Sequence, residues 1–331
     1  MKLDRTTKAF AAATLIAFLV GPVVAEERKP GAGLPAYSPA PQLGGELTSV
    51  GSDSMADLMA LWAEGYKKLQ PQVALNVTSR GSATAPAALI EGAADLGPMS
   101  RPMKSAELSE FKTKYGFEPT QVRTAIAAVT VYVAKENPLE EISLEQLDAI
   151  FSTSKKRGAP AGLITWADLG VKGSFASQPI VPVGVTADLT TQAFFRQQVM
   201  LQGEFVPTLM ATASNESMFQ TISSNRSAIG FGEARAQNGK KVLEGIKAIA
   251  VRRTKSDPAR LPTEANLVSG EYPLGRILNI YVVRYPGEQV EPSTKDFLRY
   301  VLSDQGQRIV RAEGLIPLTP KMIREELSKL D

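Results

Sequence analysis

Three short segments of the chain combine small hydroxyl residues with the start of a helical pattern. They are Gly51-Ser52-Asp53-Ser54 and the stretches 79–84 and 186–191. The start of a helix leaves backbone N–H groups without partners and carries partial positive charge, so each segment could hold an oxyanion between amides and hydroxyls. Ser, Thr and Asp are also ordinary N-cap residues, which explains any one segment taken alone. All three follow predicted strands, and because ligands of α/β proteins lie at the C-terminal ends of strands, the set favours an anion site.

A fourth segment, residues 92–102, ends a short apolar run with a hydroxyl and a guanidinium side by side, Ser100 and Arg101. Arginine can hold a tetrahedral oxyanion through two parallel hydrogen bonds. A surface arginine in a loop is the alternative interpretation of these residues. The segment therefore adds a candidate cation to the three hydroxyl turns.

The composition excludes most routes to catalysis. The 331 residues include no His and no Cys, which excludes Ser-His-Asp and Cys-His catalysis, disulfides and the usual zinc sites. No carboxylate cluster for a metal is evident, and neither a P-loop nor a strand followed by G-x-G-x-x-G occurs, so we predict no metal and no cofactor. With 37 basic against 34 acidic side chains, the charge balance gives no reason to expect nucleic acid. We predict a protein that is not an enzyme.

The elements that must position these segments are short apolar runs that alternate with amphipathic stretches. This alternation predicts an α/β protein with largely parallel sheets, and the length suggests two domains. The predicted strands are residues 47–50, 73–77, 94–97, 125–133, 180–184, 228–231, 246–251 and 278–283. A first helix carries Leu58, Leu61, Trp62, Tyr66 and Leu69 at helical spacing, and a last helix is predicted over residues 294–312. We interpret Trp62 and Phe297, on the stripes of these two helices, as core residues.

The first 25 residues have the pattern of a secretory signal peptide. Basic residues precede an apolar run over residues 9–20, and Val23 and Ala25 suit cleavage after Ala25. A membrane anchor helix is the alternative, but the run is shorter than the ~20 apolar residues of a span. Residues 26–45 are rich in Pro and Gly and predict an extended tether. Because the chain has no cysteine for a lipid anchor, we expect an exported protein that is free in a periplasm.

From Glu46 to Leu318 the chain resembles the periplasmic phosphate-binding proteins of phosphate-specific ABC transporters. Residues 51–55 look like the first anion turn of that family, and residues 80–101 resemble its second turn, helix and third loop. Further similar segments are residues 143–151, 164–170, 228–231, 272–274 and 302–307. The order and spacing of the whole set carry the resemblance.

The resemblance implies a two-lobed fold of the type II periplasmic-binding-protein class, in which two α/β lobes close on an anion about a hinge. Lobe 1 would comprise residues 46–126 and 280–331, and lobe 2 residues 127–279. In the family, hydroxyls, amides and an arginine replace the water around phosphate, and an acidic side chain accepts the proton of hydrogen phosphate. Carried over by position, the expected ligand-binding residues are Ser54, Met55 through its amide, Ser82, Ser100, Arg101, Thr190 and Thr191.

The second lobe departs from the family pattern. Val185 stands where members usually carry Arg, and Leu189-Thr190-Thr191 replaces a Ser-Gly-Thr triplet. Ser100 stands at the position of the usual acidic acceptor, which puts the discrimination between hydrogen phosphate and sulfate in question. Other residues could take over these two roles. The candidate proton acceptors are Asp53, Asp188 and Glu233, and the candidate cation is Arg235. For each of them, a place on the solvated surface is the alternative interpretation.

These features lead to the hypothesis of a secreted, monomeric binding protein that captures phosphate or a similar oxyanion and delivers it to a membrane ABC permease. A homologue retuned to another ligand or to signalling is the first alternative, because the altered second-lobe turn permits it. A phosphatase of related fold and a structural protein without a ligand are further alternatives. The phosphatase fits badly because the chain offers neither His nor Cys.

Overall fold

The computed structural model describes residues 33–41, 43–185, 189–233 and 244–331, and of Leu189 and Thr190 the backbone alone. The predicted signal peptide, the first residues of the predicted tether, Asp188 and Arg235 lie outside the described residues. Among the helices in the described ranges, none has both the length and the apolar character needed to cross a bilayer.

Short strands alternate with helices along the described chain, as the sequence predicts. The strands are β1 (Gly45–Gly51), β2 (Val73–Ser79), β3 (Gly97–Met99), β4 (Thr120–Ala128), β5 (Thr130–Ala134), β6 (Glu141–Ser143), β7 (Val181–Val185), β8 (Met210–Thr212), β9 (Ala228–Gly232), β10 (Ile246–Ala248), β11 (Ala250–Arg252) and β12 (Gly275–Val282). The helices are α1 (Ala56–Lys67), α2 (Thr84–Glu91), α3 (Ser105–Tyr115), α4 (Leu144–Phe151), α5 (Leu189–Gln198), α6 (Asn215–Ser224), α7 (Glu264–Val268), α8 (Pro292–Val301), α9 (Asp304–Ala312) and α10 (Pro320–Leu327). Three 3₁₀ helices occupy Asp53–Met55, Trp166–Leu169 and Gly173–Phe175.

A first group of strands, β1 to β4 with β12, brings three strand ends to the same edge. β1 and β2 are parallel, with Gly51 opposite Ser79 at their C-terminal ends. A parallel bridge between Ser49 and Leu96 joins β1 to the residues just before β3. β12 lies between β3 and β4 and runs antiparallel to both. The segments that follow β1, β2 and β3 therefore leave from one edge of this group.

The second group is a five-stranded sheet in the order β10-β5-β9-β7-β8. Only Val129 separates β4 of the first group from β5 of this sheet. The apolar run predicted as one strand over residues 125–133 is thus two strands in two sheets. The run over residues 246–251 is also divided, because β10 joins β5 whereas β11 pairs with β6.

The strand directions are mixed, which corrects the prediction of largely parallel sheets. Parallel pairs are β1 with β2, β6 with β11, and β7 with β8 and β9, whereas β5 and β12 run antiparallel to their neighbours. A parallel neighbour requires a crossover of a dozen or more residues. The chain passes from β4 to β5 directly, so the direction of β5 is set by that passage and not by a helical crossover.

Helix α1 buries the centre of its predicted stripe. Trp62 is fully buried, as is Phe297 on α8, and both are core residues as predicted. The indole Nε1 of Trp62 donates to the carbonyl oxygen of Gly306 at 3.0 Å. Leu61 and Leu69, the outer members of the stripe, are 36% and 41% exposed, so the buried face is narrower than the sequence pattern indicates.

The single helix predicted over residues 294–312 is two helices, α8 and α9. Ser303 is the reason, because it adopts an extended conformation and its hydroxyl accepts the N–H of Gly306 at 3.3 Å as an N-cap. The apolar periodicity continues across this break, which is why the pattern alone indicates one long helix.

The described part of the predicted tether has no helix or strand before β1, but it packs against the rest of the chain. Tyr37 is buried, and its hydroxyl donates to the buried carboxylate of Asp296 at 2.5 Å. Tyr66 and Gln70 donate to the same oxygen at 2.9 and 3.1 Å, and the N–H of Ala40 donates to the other at 3.2 Å. Residues 33–41 are therefore a docked segment and not a free tether.

Candidate anion-binding site

Four buried serines lie just beyond the strand ends of the first group. Ser52 and Ser54 follow β1, Ser82 follows β2 and Ser100 follows β3. The backbone ties these turns together, because the N–H of Ser52 donates to the carbonyl oxygen of Pro98 at 2.8 Å. The structure thus brings together the first-lobe residues that the sequence singles out from three separate segments.

The serine hydroxyls are arranged in two pairs. The Oγ atoms of Ser52 and Ser54 are 3.1 Å apart, and those of Ser82 and Ser100 are 3.2 Å apart. The N–H of Ser100 also donates to Ser82 Oγ at 3.2 Å. A hydroxyl can rotate to donate or accept, so four such groups at one edge can turn their protons toward an anion.

The amide of Met55 has a partner within its own turn. Its N–H donates to the carbonyl oxygen of Ser52 at 3.3 Å, and its side chain is fully buried. The backbone N–H of Ser54 is held by the carboxylate of Asp53 at 2.9 Å. Asp53, one of the candidate proton acceptors, therefore stabilises the first turn through this hydrogen bond.

Arg101 lies beside this edge in an ion pair with two hydrogen bonds. Its Nη1 and Nη2 each donate to one carboxylate oxygen of Glu107 at 2.7 Å, and both side chains are less than one-fifth exposed. Burial tends to raise the pKa of Glu107, but the Arg101 guanidinium and the N–H of Lys104 outweigh it and hold that pKa below its usual value. The predicted cation is thus present, with its orientation set by helix α3.

The second-lobe residues are only partly described. Thr191 is buried in the first turn of α5, and its hydroxyl lies 3.5 Å from Glu233, directly after β9. Helix α5 also contacts the 3₁₀ helix that carries Ser54, with Cα atoms within 8 Å. Thr190 belongs to α5 by its backbone, and nothing is described of its side chain. Of the two candidate acceptors that the structure describes, Asp53 and Glu233, it is Glu233 that lies buried, beside Thr191.

The position at which the family usually carries Arg is occupied here by Val185, which brings no charge. It is buried at the end of β7, in an apolar cluster with Tyr132, Met218 and Phe219. Its carbonyl oxygen accepts a hydrogen bond from Gln192 Nε2 at 2.5 Å. The place where the resemblance leads one to expect an arginine is part of the core of the second sheet.

Arg276, a buried arginine on β12, is not among the residues predicted from the sequence. Its side chain is 3% exposed, and its Nη2 donates to Glu233 and, at 3.4 Å, to the hydroxyl of Thr191. Its guanidinium carbon lies 5.2 Å from the centre of the Phe194 ring. Strand periodicity could have indicated it, because Arg276 and the apolar Leu278 are two residues apart and both are buried.

No group of three or more His, Cys, Asp or Glu side chains that could hold a metal ion occurs within the described ranges. The polar groups at this edge are hydroxyls, backbone amides, arginines and carboxylates. Such a set suits an oxyanion that is stripped of water and held by many hydrogen bonds.

The α/β sheets and the hydroxyl-lined strand edge define a solute-binding protein of the periplasmic type. The model of the PBP superfamily domain matches residues 36–305. The phosphate-binding protein PstS of Pseudomonas aeruginosa is 37% identical over 330 residues, which cover 100% of this chain and 99% of that protein. The chain therefore belongs to the PBP superfamily and, within it, to the family of PstS phosphate-binding proteins.

Solved structures of similar proteins share the fold. A possible phosphate-binding protein of Planctomyces limnophilus aligns with a TM-score of 0.68 and 22% identity, over 87% of this chain and 98% of the other. An ABC-type phosphate transport receptor of Vibrio cholerae aligns with a TM-score of 0.67 and 24% identity, over 82% and 99%. The predicted α/β, periplasmic-binding-protein-like fold is confirmed. These relatives are named as phosphate-binding proteins or, in one case, as a phosphate transport receptor.

Proposed function

We propose that this chain captures inorganic phosphate, or a closely similar oxyanion, and delivers it to an ABC permease. One observation carries the proposal: four buried serines meet at one strand edge in a chain that is 37% identical from end to end to a phosphate-binding protein. Binding requires no bond to break, so the serines, amides and arginines need only replace the hydration shell of the anion.

In this proposal each group of strands forms most of one lobe, and the anion lies between the lobes. Lobe 1 comprises residues 46–126 and 280–331, and lobe 2 residues 127–279, so that the boundaries fall within β4 and β12. The passage from β4 to β5 through Val129 supports a hinge at this point, since it carries the chain directly from one sheet to the other. The contact between α5 and the 3₁₀ helix Asp53–Met55 supports a cleft that closes between the lobes.

The proposed ligand contacts come from both lobes. Ser54, the amide of Met55, Ser82, Ser100 and Arg101 serve from lobe 1, and Thr190 and Thr191 from lobe 2. Glu233 is the proposed acceptor for the proton of hydrogen phosphate, because it is buried beside Thr191. Sulfate carries no such proton at neutral pH, so a carboxylate at this place disfavours it.

The proposed location is a periplasm, where the protein acts as a free monomer. The pattern of residues 1–25 supports export, with cleavage after Ala25. Mass spectrometry of the exported protein tests this point. A chain that begins at Glu26 is expected, and retention of residues 1–25 in a membrane fraction would contradict it.

Titration calorimetry with phosphate, arsenate and sulfate tests the proposed ligand. We expect phosphate and arsenate to bind and sulfate to bind more weakly. Ser82→Ala and Ser100→Ala should each weaken phosphate binding by about twofold to tenfold, the usual contribution of a neutral hydrogen bond.

Ser49→Ala is the matched control for these variants. Ser49 is also a fully buried serine, but it lies within β1, and its Oγ has no hydrogen-bond partner in the described part of the chain. Its replacement should leave phosphate affinity unchanged. Wild-type protein that binds none of the three anions would contradict the proposal, and a preference for sulfate would instead support a homologue retuned through Val185 and Ser100.

A further inference from the structure

Arg276 is a buried cation whose hydrogen-bonding capacity is only partly used. Its side chain is 3% exposed, and its Nε and Nη1 are buried without a hydrogen-bond partner among the residues that the structure describes. A guanidinium has five N–H donors, and a buried donor without an acceptor destabilises the fold. Because proteins pair the large majority of buried polar groups, the unused donors of Arg276 call for an acceptor supplied by a ligand.

The position of Arg276 is where the two groups of strands meet. Its Cα pairs with Ala127 on β4, three residues before β5 begins in the other sheet. Its Nη2 donates to Glu233, which follows β9, and to Thr191 in the first turn of α5. The backbone of Arg276 therefore belongs to the first group of strands, and its guanidinium contacts elements of the second.

Helix α5 connects this cation with the serine edge. α5 has ten residues, and its N-terminal turn adds partial positive charge beside the guanidinium. The same helix contacts the 3₁₀ helix that carries Ser54. Helix α5 thus contacts both the cation, through its first turn, and the 3₁₀ helix of the first hydroxyl turn.

We infer that Arg276 supplies the cationic contact of the second side of the site, in place of the arginine that is absent at Val185, and that Glu233 positions its guanidinium. This inference rests on the proposed function, because it places the same oxyanion at the same site. Nη2 stays with Glu233 and Thr191, and an unused N–H of Nε or of Nη1 is the donor to an oxygen of the anion.

The test compares wild-type protein with Arg276→Gln and Arg276→Lys by titration calorimetry with phosphate, arsenate and sulfate. We expect Arg276→Gln to weaken oxyanion binding by about tenfold to a hundredfold, since charge-assisted hydrogen bonds are lost. Arg276→Lys keeps the charge but has fewer donors in a different geometry, so a smaller loss is expected. The affinity of Arg276→Gln should also fall less steeply with added salt, because one ion contact is gone.

Arg123→Gln is the matched control. Arg123 lies on β4, the strand beside β12, and pairs with the fully buried carboxylate of Glu326. Its replacement also takes a guanidinium away from a buried glutamate, but the hydrogen-bond partners of that guanidinium, Glu325 and Glu326, lie on α10. We expect it to lower the melting temperature and to change phosphate affinity by less than about twofold.

The outcomes separate the inference from the proposed function. If Arg276→Gln folds and binds phosphate with wild-type affinity, the inference is overturned and the proposed function stands. If Arg276→Gln does not fold, wild-type affinity in Arg276→Lys has the same meaning. Equal losses in Arg276→Gln and Arg123→Gln also overturn it, because they would reflect only the loss of a guanidinium beside a buried glutamate. Wild-type protein that binds none of the three anions overturns the inference and the proposed function together.

Discussion

Arg101 is tied to the fold as well as to the proposed site. Its two hydrogen bonds to Glu107 join the end of the third loop to the first turn of α3. The same carboxylate accepts the N–H of Lys104 at 2.7 Å and so caps that helix. From the sequence alone, loss of Arg101 is expected to weaken binding without changing the stability of the ligand-free protein. Because of this ion pair, we expect the stability to fall as well.

We predict that Arg101→Ala weakens phosphate binding by at least about tenfold and also lowers the melting temperature. A partly exposed ion pair of good geometry contributes about 1 kcal/mol, which corresponds to a shift of a few degrees. Calorimetry with and without phosphate measures both effects. Lys68→Ala is the control, because its ion pair with Glu64 is 70% and 65% exposed and should matter little. Unaltered phosphate affinity in Arg101→Ala would argue against the predicted first-lobe contacts.

The stability difference between wild type and Arg101→Ala should depend on pH. The pKa of Glu107 is lowered in the folded protein, so its contribution is present above the ordinary glutamate pKa of about 4.3 and is lost as the pH falls through the lower folded value. Thermal melts at neutral and at acidic pH should therefore show a difference that shrinks in acid. A difference that stays constant would mean that Arg101 stabilises the fold through packing alone.

Val185→Arg tests whether the family arginine can be restored. Val185 is buried in an apolar cluster with Tyr132 and Met218, so a charge there would be taken out of water. We predict a loss of about 3–5 kcal/mol in the free energy of unfolding and no gain in phosphate affinity. Val181→Arg, at the half-buried start of the same strand, is the control and should cost less. Tighter binding in a stable Val185→Arg protein would show that the side chain reaches the anion after all.

At the scale of elements, the close approach of β1 and β3 sets the shape of the first turn. Gly51 ends β1, and a Cβ at this position would lie 2.1 Å from the carbonyl oxygen of Pro98. That oxygen is the acceptor of the Ser52 N–H. Any side chain at residue 51 must therefore push apart the two segments that carry the serines.

We predict that Gly51→Ala destabilises the protein by about 1–3 kcal/mol and weakens phosphate binding as well, because the strand edge must open. Denaturant unfolding and calorimetry measure the two effects. Gly44→Ala is the control, since a Cβ there would make only ordinary contacts, the nearest at 3.6 Å with the Gln72 carbonyl oxygen. Gly51→Ala with the stability and affinity of wild type would mean that the two strands separate at little cost.

For the molecule as a whole, the docked segment of residues 33–41 packs against the rest of the chain and donates hydrogen bonds to Asp296. Burial, with the carboxylate of Asp296 next, raises the pKa of Tyr37, so its hydroxyl remains a donor at any ordinary pH. Tyr37 and Ala40 together supply two of the hydrogen bonds to that buried carboxylate. Removal of the segment leaves the charge of Asp296 with fewer donors.

We predict that a chain starting at Gly44 melts about 5 °C or more below one starting at Glu26, because two hydrogen bonds to a buried carboxylate are lost. Phosphate affinity should stay the same, because none of the proposed ligand contacts lies in this segment. A chain starting at Gly33 is the control and should melt like the longer one. Equal melting temperatures for all three would show that the docking contributes nothing to stability.

The sequence by itself determined the local features of this protein. Alternating apolar runs indicate an α/β fold because a buried strand and an amphipathic helix have different periods. Hydroxyl residues that follow strands identify the turns of Ser52, Ser82 and Ser100, because helix starts and anion contacts require such side chains. The order of these motifs is enough to identify the family. Each of these signals is contained in a short stretch of chain.

Only the tertiary structure decided which distant groups meet. Arg276 contacts Thr191 and Glu233, which are 85 and 43 residues away in sequence, and no local pattern encodes such a meeting. The division of residues 125–133 between two sheets likewise depends on which strands are available as neighbours. The burial of a charge is decided by everything that packs around it, and this is why the sequence indicated the serine turns but not the second cation.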